Sequence, residues 1–274
     1  MKKIVSVLLA AIMLLGCCTA FADAATDDSY QKILDKGQLI MGLDDSFPPM
    51  GYRDEDGNIV GFDVDVATEV CNRMGVELVL QPISWSAKVM ELNSGNIDCI
   101  WNGFTITEEL QEQITFSEPY LSNTQVIVVR GDSDIQTLDD LAGKSLGVQA
   151  GSSAVAALDE NPDFRDSVTV NEFSDNMTAM LDLENGGLDA VLVDVIVAGY
   201  YFSQHDSDLR QLDESLASEE YGVGFRKDDL SLVENVNRIL NEMAEDGTLA
   251  EISTKWFDSD ITIIGKTDDA AADA

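Results

Sequence analysis

The sequence is poor in the residues on which most enzyme chemistry turns. Its 274 residues hold one histidine, four cysteines, five prolines and only 16 lysines and arginines. The histidine, His205, lies in the polar segment "SQHDSD" and reads as a surface residue. A serine–histidine or cysteine–histidine mechanism would have to use it, and nothing nearby supports one. No CxxC pair is present, which argues against zinc. Cys17 and Cys18 fall in the leader. Cys71 and Cys99 sit among apolar residues, either as a disulfide formed in an oxidising compartment or as two buried thiols. Against so few basic residues stand 51 acids, a formal charge of −35. Such a chain repels nucleic acid and anionic lipid, so nucleic-acid binding is excluded. Most of that charge serves as a solvated surface.

Long apolar runs are also lacking. The first, Ile4 to Leu15, has twelve residues, too few to span a bilayer, and follows Lys2 and Lys3. It reads as a secretory signal over 1–16. Leu14-Leu15-Gly16-Cys17 looks like a lipobox, with Cys17 lipidated as the mature N-terminus and residues 17–30 a flexible stalk. Ala22-Asp23-Ala24 offers an ordinary cleavage site as the alternative. Cleavage before Cys17 removes two lysines and no acid, so the mature chain is more negative still. The low-complexity tail 265–274 reads as disordered.

Between these ends, strands and helices alternate. Leu39–Gly42 and Glu77–Leu80 are short apolar strands. Phe62, Val66, Ala67, Val70, Cys71 and Met74 form a 3.6-period face on a helix from about Asp63 to Met74. Leu232, Val233, Val236, Ile239, Leu240 and Met243 form another. The alternation predicts a mainly parallel sheet flanked by helices.

One unit occurs twice. "ELNSGNIDCIWNG" (Glu91–Gly103) aligns with "DLENGGLDAVLVD" (Asp182–Asp194), 91 positions later. Leu92 meets Leu183, Ile97 meets Leu188 and Asp98 meets Asp189. Each copy reads as a helix end, a glycine stop and a buried strand. A chance likeness between two common turns is the bland alternative. "GLDDS" after the first strand and "QAGSS" after Leu146–Val148 make a second correspondence. Ligands of open α/β sheets bind beyond the carboxyl ends of strands. Four ends are thereby nominated: Asp44 to Phe47, Asn102 to Thr105, Gly151 to Ser153, and Asp194.

At these ends, Phe47 and Trp85 offer aromatic walls, and Asp44 and Asp194 offer carboxylates. Thr105, Ser152 and Ser153 offer hydroxyls near helix starts. Each also has an ordinary reading. Thr105 with Glu108 makes a capping box, and Ser152 or Ser153 an N-cap for the helix Ala154–Asp159.

The stretches "GLDDSFPPMGYRDEDGNIVGFDVDVATEV", "IDCIWNGFTITEELQEQITFSEPY" and "LAGKSLGVQAGSS" resemble the polar amino-acid-binding proteins of ABC importers, family 3 of the bacterial solute-binding proteins. Gly61-Phe62-Asp63-Val64-Asp65 is characteristic of that family, and the likeness runs from about residue 31 to 260. The resemblance implies an α/β, two-lobed clamshell, each lobe a mainly parallel sheet flanked by helices, joined by two crossing hinge strands. Lobe one would comprise 31–122 and 220–264, and lobe two 123–219. By position, Asp44, Phe47 and Trp85 would line the side-chain pocket. Asn102, Gly103 and Thr105 would contact the solute, Ser152 and Ser153 its carboxylate, and Asp194 its α-ammonium. The implied partners are a small amino acid or amine and a membrane permease. The implied protein is a monomeric, extracytoplasmic binder, lipid-anchored through Cys17, with no cofactor, metal or catalysis. The same fold sometimes carries a lyase or hydrolase site. Asp44 or Asp194 would then be the acid/base, but no second acid/base partner is visible beside either.

The family stretch departs at one position. Where it usually carries an arginine that forks onto the α-carboxylate, this chain has Leu110. The solute is then an amino acid held by Ser153, backbone N–H groups and a substitute cation, Lys88 being the nearest in sequence with a plausible reach; or it is a cation lacking an α-carboxylate; or the transport ligand has been lost altogether.

Overall fold

The computed structural model describes residues 27–266. The signal segment, the lipobox with Cys17, most of the stalk and most of the tail lie outside the described residues.

The chain opens with α1 (Ser29–Lys36), which Gly37 stops in the left-handed region. Next come β1 (Gln38–Leu43) and a small antiparallel sheet of β2 (Ser46–Phe47), β3 (Gly51–Arg53) and β4 (Ile59–Val60). Helix α2 (Phe62–Met74) buries its whole apolar stripe, Phe62, Val66, Ala67, Val70, Cys71 and Met74. Each of the larger side chains, Phe, Val and Met, contributes roughly 1.5–3 kcal/mol when buried, and Ala67 less. Then follow β5 (Glu77–Pro82), a 3-10 turn (Trp85–Ala87), α3 (Lys88–Asn93), β6 (Cys99–Ile100), α4 (Glu108–Gln113) and β7 (Ile114–Phe116).

Strand β8 (Leu121–Arg130) carries the chain into a second lobe. This holds β9 (Ser145–Gln149), α5 (Ser153–Glu160), α6 (Pro162–Ser167), β10 (Thr169–Phe173), α7 (Asn176–Glu184), β11 (Ala190–Asp194) and α8 (Val195–Gln204). Strand β12 (Leu209–Tyr221) runs antiparallel to β8 and returns the chain. β13 (Gly224–Arg226), α9 (Leu230–Glu245) and α10 (Thr248–Phe257) complete the first lobe. The apolar stripe of α9 is buried along its length, from Leu232 to Met243.

The sheets run β5-β1-β6-β13-β7 and β10-β9-β11-β8-β12. In each, the first three strands are parallel and the fourth is antiparallel. The sequence repeat is therefore structural, and it extends to single hydrogen bonds. Arg226 on β13 donates from Nη1 to the carbonyls of Leu92 (3.2 Å) and Ile97 (2.7 Å). Arg130 on β8 does the same to Leu183 (3.2 Å) and Leu188 (2.7 Å). Asp98 Oδ2 accepts from Ile40 N at 2.8 Å, and Asp189 Oδ2 from Ser145 N at 2.8 Å. Two arginines on the fourth strands of the two sheets and two aligned acids make the same contacts in each lobe, which a chance likeness between turns does not explain.

Cys71 and Cys99 are free and buried. Burial pushes the Cys71 thiol up to about 12 and that of Cys99 well above its usual range, so both are inert. His205 is exposed and stacks on Tyr201 at 4.2 Å.

Candidate functional site

The repeat fixes where the site lies. β6 delivers Asn102-Gly103 and β11 delivers Asp194 at equivalent strand ends, one from each lobe. A cavity of about 240 Å³ lies between them. It is smaller than pockets for drug-sized molecules, about 300–1,000 Å³, and suits one small solute. Of the nine side chains expected here, Phe47, Trp85, Gly103, Thr105, Ser152, Ser153 and Asp194 line it.

Asp44 and Asn102 stand behind that lining. Asn102 Oδ1 accepts from Asp44 N at 3.0 Å, bracing one strand end against the next. Asp44 accepts from Ser46 N (2.9 Å) and, across the lobes, from Gln149 Nε2 (2.6 Å). Burial raises its carboxyl to about 6.

The turn at Gly103 is held from below. Its φ is 53°, and an added Cβ would lie 2.7 Å from Phe47 Cε1, so only glycine fits. Its N–H donates to Asp63 Oδ2 at 2.7 Å, as does Tyr120 Oη at 3.0 Å. Asp63 is fully buried, and burial pushes its carboxyl up to about 7 against those bonds. The preceding Gly61 is equally constrained, because a Cβ would sit 2.2 Å from Met50 O. The Gly61-Phe62-Asp63 stretch thus anchors the floor of the cavity rather than lining it.

Thr105 is not a helix cap. The N-cap of α4 is Thr107, whose hydroxyl accepts from Leu110 N at 3.2 Å. Thr105 instead spans the lobes, with Oγ1 3.1 Å from Ser153 Oγ and 3.0 Å from Glu219 Oε2. Ser152 occupies the N-cap position of α5, but its hydroxyl donates to Gln149 O at 2.8 Å.

Asp194 is buried where the hinge strands cross. Its Oδ1 accepts from Asn123 Nδ2 (2.5 Å), Tyr221 Oη (2.7 Å) and Gln125 Nε2 (3.1 Å). The same two amides also donate to Glu219 Oε2, at 2.8 and 3.1 Å. The sequence showed no second acid beside Asp194, and the structure supplies one. Burial first, and the neighbouring Glu219 charge second, raise Asp194 to about 7. Two carboxylates sharing donors repel, and a cation between or beside them relieves that repulsion.

No motif marks Glu219, Asn123 or Gln125 as site residues, although all three lie in the stretches that cross between the lobes. The available signal was period two along the crossing strands: Asn123 and Gln125 share a face of β8, and Glu219 pairs with Asn123 in register. Phe104 was missed too. It packs edge-on against Trp85 at 5.5 Å and widens the aromatic wall. Leu110 lines the cavity, and so does Lys88. Chemically, the arrangement can grip an ammonium at Asp194 and flank apolar groups with Phe47, Trp85 and Phe104.

Known proteins resemble this chain throughout the fold. The model of the bacterial extracellular solute-binding proteins, family 3, matches residues 39–259. The L-cystine-binding protein TcyJ of Escherichia coli strain K12 is 35% identical over 89% of this chain and 90% of its own length. The lysine/arginine/ornithine-binding periplasmic protein of the same strain is 31% identical, over 95% of this chain and 99% of its own. A crystal structure of an ABC uptake transporter substrate-binding protein from Streptococcus pneumoniae, with bound histidine, superposes with a TM-score of 0.84. That protein is 37% identical, covering 86% of this chain and 98% of the other. The two-lobed architecture, the duplicated strand ends and these matches together assign the chain: it belongs to family 3 of the bacterial extracellular solute-binding proteins.

Proposed function

We propose that the protein captures one amino acid in the cavity between its lobes and delivers it to an ABC permease. The observation that carries this is Asp194, a buried carboxylate at one duplicated strand end, facing aromatic walls and Thr105 from the other lobe. The relatives described above, named for cystine, for lysine, arginine and ornithine, and for bound histidine, support an amino acid as the solute. Solute contacts to both lobes favour the closed arrangement by their differential affinity. Capture proceeds without turnover, so a bound solute is recovered unchanged. Lipid attachment at Cys17 would hold the protein outside the membrane beside its permease.

A thermal-shift screen of the twenty amino acids, polyamines and quaternary amines tests this reading. A solute at about 100 times its Kd adds about 2.7 kcal/mol. That raises the Tm of a chain of this size by roughly 5–10 °C. A flat response across all amino acids would contradict it.

Leu110 gives a second test. Its side chain lines the cavity, so Leu110→Arg brings in a fork-shaped donor for a carboxylate. Amino-acid affinity should rise roughly tenfold, about 1.4 kcal/mol, in a titration. No gain for any amino acid in the folded variant would place the carboxylate elsewhere.

Delivery has its own signature. Met90 and Leu181 are 65% and 55% exposed. They are equivalent residues in the repeat, each followed by an acid, Glu91 or Asp182. One such residue per lobe supports docking on the two halves of a pseudo-symmetric membrane partner. Met90→Lys with Leu181→Lys should leave solute affinity unchanged and cut uptake at least about fivefold. Undiminished uptake would remove these residues from the docking surface.

A further inference from the structure

Lys88 is the feature of the cavity that this reading leaves without a task. Among the described residues no other lysine or arginine is buried. Its Nζ donates to Gly151 O across the lobes at 2.6 Å and to Trp85 O of its own turn at 3.4 Å. It also lies 5.0 Å from the centre of the Trp85 ring and 5.7 Å from that of Phe104. Two carbonyls and two aromatic faces partly replace water around the ammonium. None of them supplies a full negative charge, and among the described residues Lys88 makes no ion pair. Glu109, exposed at the cavity mouth, acts on it only as a more distant charge.

A buried cation without a counter-ion is costly, and proteins keep one where it has work to do. The cavity that Lys88 lines also carries Asp194, so one enclosed space presents a buried cation and a buried anion that do not pair with each other. A solute complementary to both carries both charges. We infer that Lys88 binds the carboxylate of the solute, so that the site selects amino acids, ammonium at Asp194 and carboxylate at Lys88, over the corresponding amines. This rests on the solute-binding reading above. Because the same ammonium also bonds Gly151 of the second lobe, a carboxylate held there is coupled to lobe contact. Lys88 is on this view a specificity-determining residue, standing in the position-independent role of a charged anchor that Leu110 cannot fill. Burial, which lowers its ammonium to about 8, fits a group that regains full charge when an anion arrives.

The test uses three probe pairs: L-arginine and agmatine, L-histidine and histamine, L-lysine and cadaverine. Each is titrated against the wild type, Lys88→Met, Lys88→Gln and Lys88→Arg, with melting curves to check folding. For at least one pair the wild type should bind the amino acid about 100-fold more tightly than its amine. Lys88→Met, or Lys88→Gln should the methionine variant not fold, should weaken the amino acid at least about tenfold and leave the amine within about threefold. Lys88→Arg should restore the preference. Equal loss of acid and amine would show Lys88 to be a lobe contact only, and an unchanged or amine-favouring preference would overturn the inference with the binding function intact. Binding of none of the six probes by the wild type would overturn the inference, while the solute reading would fall only on a flat response in the screen of all twenty amino acids.

Discussion

Asp194→Ala should weaken binding of the cognate amino acid at least tenfold, about 1.4 kcal/mol. Truncating one partner of a buried, hydrogen-bonded charge pair commonly costs about 2–5 kcal/mol. The expected minimum lies below that range because Glu219 stays in place and keeps a negative charge beside the ammonium. Double replacement of Asp194 and Glu219 should reach the upper end. Unchanged affinity in Asp194→Ala, read by calorimetric titration, would remove Asp194 from the site.

The same carboxylate sets a pH dependence with a definite sign. Its folded-state pKa is raised to about 7 by burial and by Glu219, with Tyr221, Asn123 and Gln125 completing its surroundings. A raised value means that Asp194 contributes stability below the unfolded-state value of about 3.9, and that this is lost as pH rises through about 7. Above that pH the unliganded protein carries a charge it is poorly built to hold alone. A solute ammonium relieves that cost. Affinity should therefore fall as pH drops below about 7, by up to about tenfold per unit. Asp194→Asn should abolish that limb of the profile and stabilise the solute-free protein at pH 8.

Asp63→Ala should produce the largest loss of stability. It strips the acceptor from Gly103 N–H and Tyr120 Oη, both buried. Two orphaned donors cost about 1–3 kcal/mol each, or roughly 3 kcal/mol after relaxation. For a chain of this size that lowers Tm by roughly 6–12 °C. Solute affinity should fall as well, because Gly103 and Thr105 lose their floor. Asp63→Asn keeps an acceptor oxygen and should be milder. It should also flatten the wild type's loss of stability as pH climbs from about 4 through 7, since burial raises Asp63 to about 7. A Tm within about 2 °C of wild type in Asp63→Ala would show that the turn holds itself.

What could be read from the residues, and what could not, divides along physical lines. The stripes of α2 and α9 follow a 3.6 period because each helix buries one face, and all twelve positions named for them are buried. The repeat was legible because buried strands and glycine stops keep their spacing. Thr105 lines the cavity as expected, and its alternative reading as a helix cap falls to Thr107, which only backbone geometry separates from it. Only the end of β12 is legible: "EEYGVGFRK" marks the return to the first lobe, whereas "LRQLDESLAS" has too few apolar residues to alternate, since one edge of the hinge faces solvent. Glu219 lies in the marked stretch, but nothing there assigns it a role. Lys88 could be named but not placed, because its contact with Gly151 spans the two lobes. Asp44 and Asn102 stand at strand ends as expected, yet their side chains are spent on Gln149 and on the Asp44 backbone.

A crystal structure of the protein with the amino acid that gives the largest thermal shift is the most direct examination of this scheme. The solute should lie between the lobes with its ammonium within hydrogen-bonding distance of Asp194 and its carboxylate on Lys88. Density for the solute outside that cavity, or with its carboxylate turned toward Asp194 and Glu219, would contradict it.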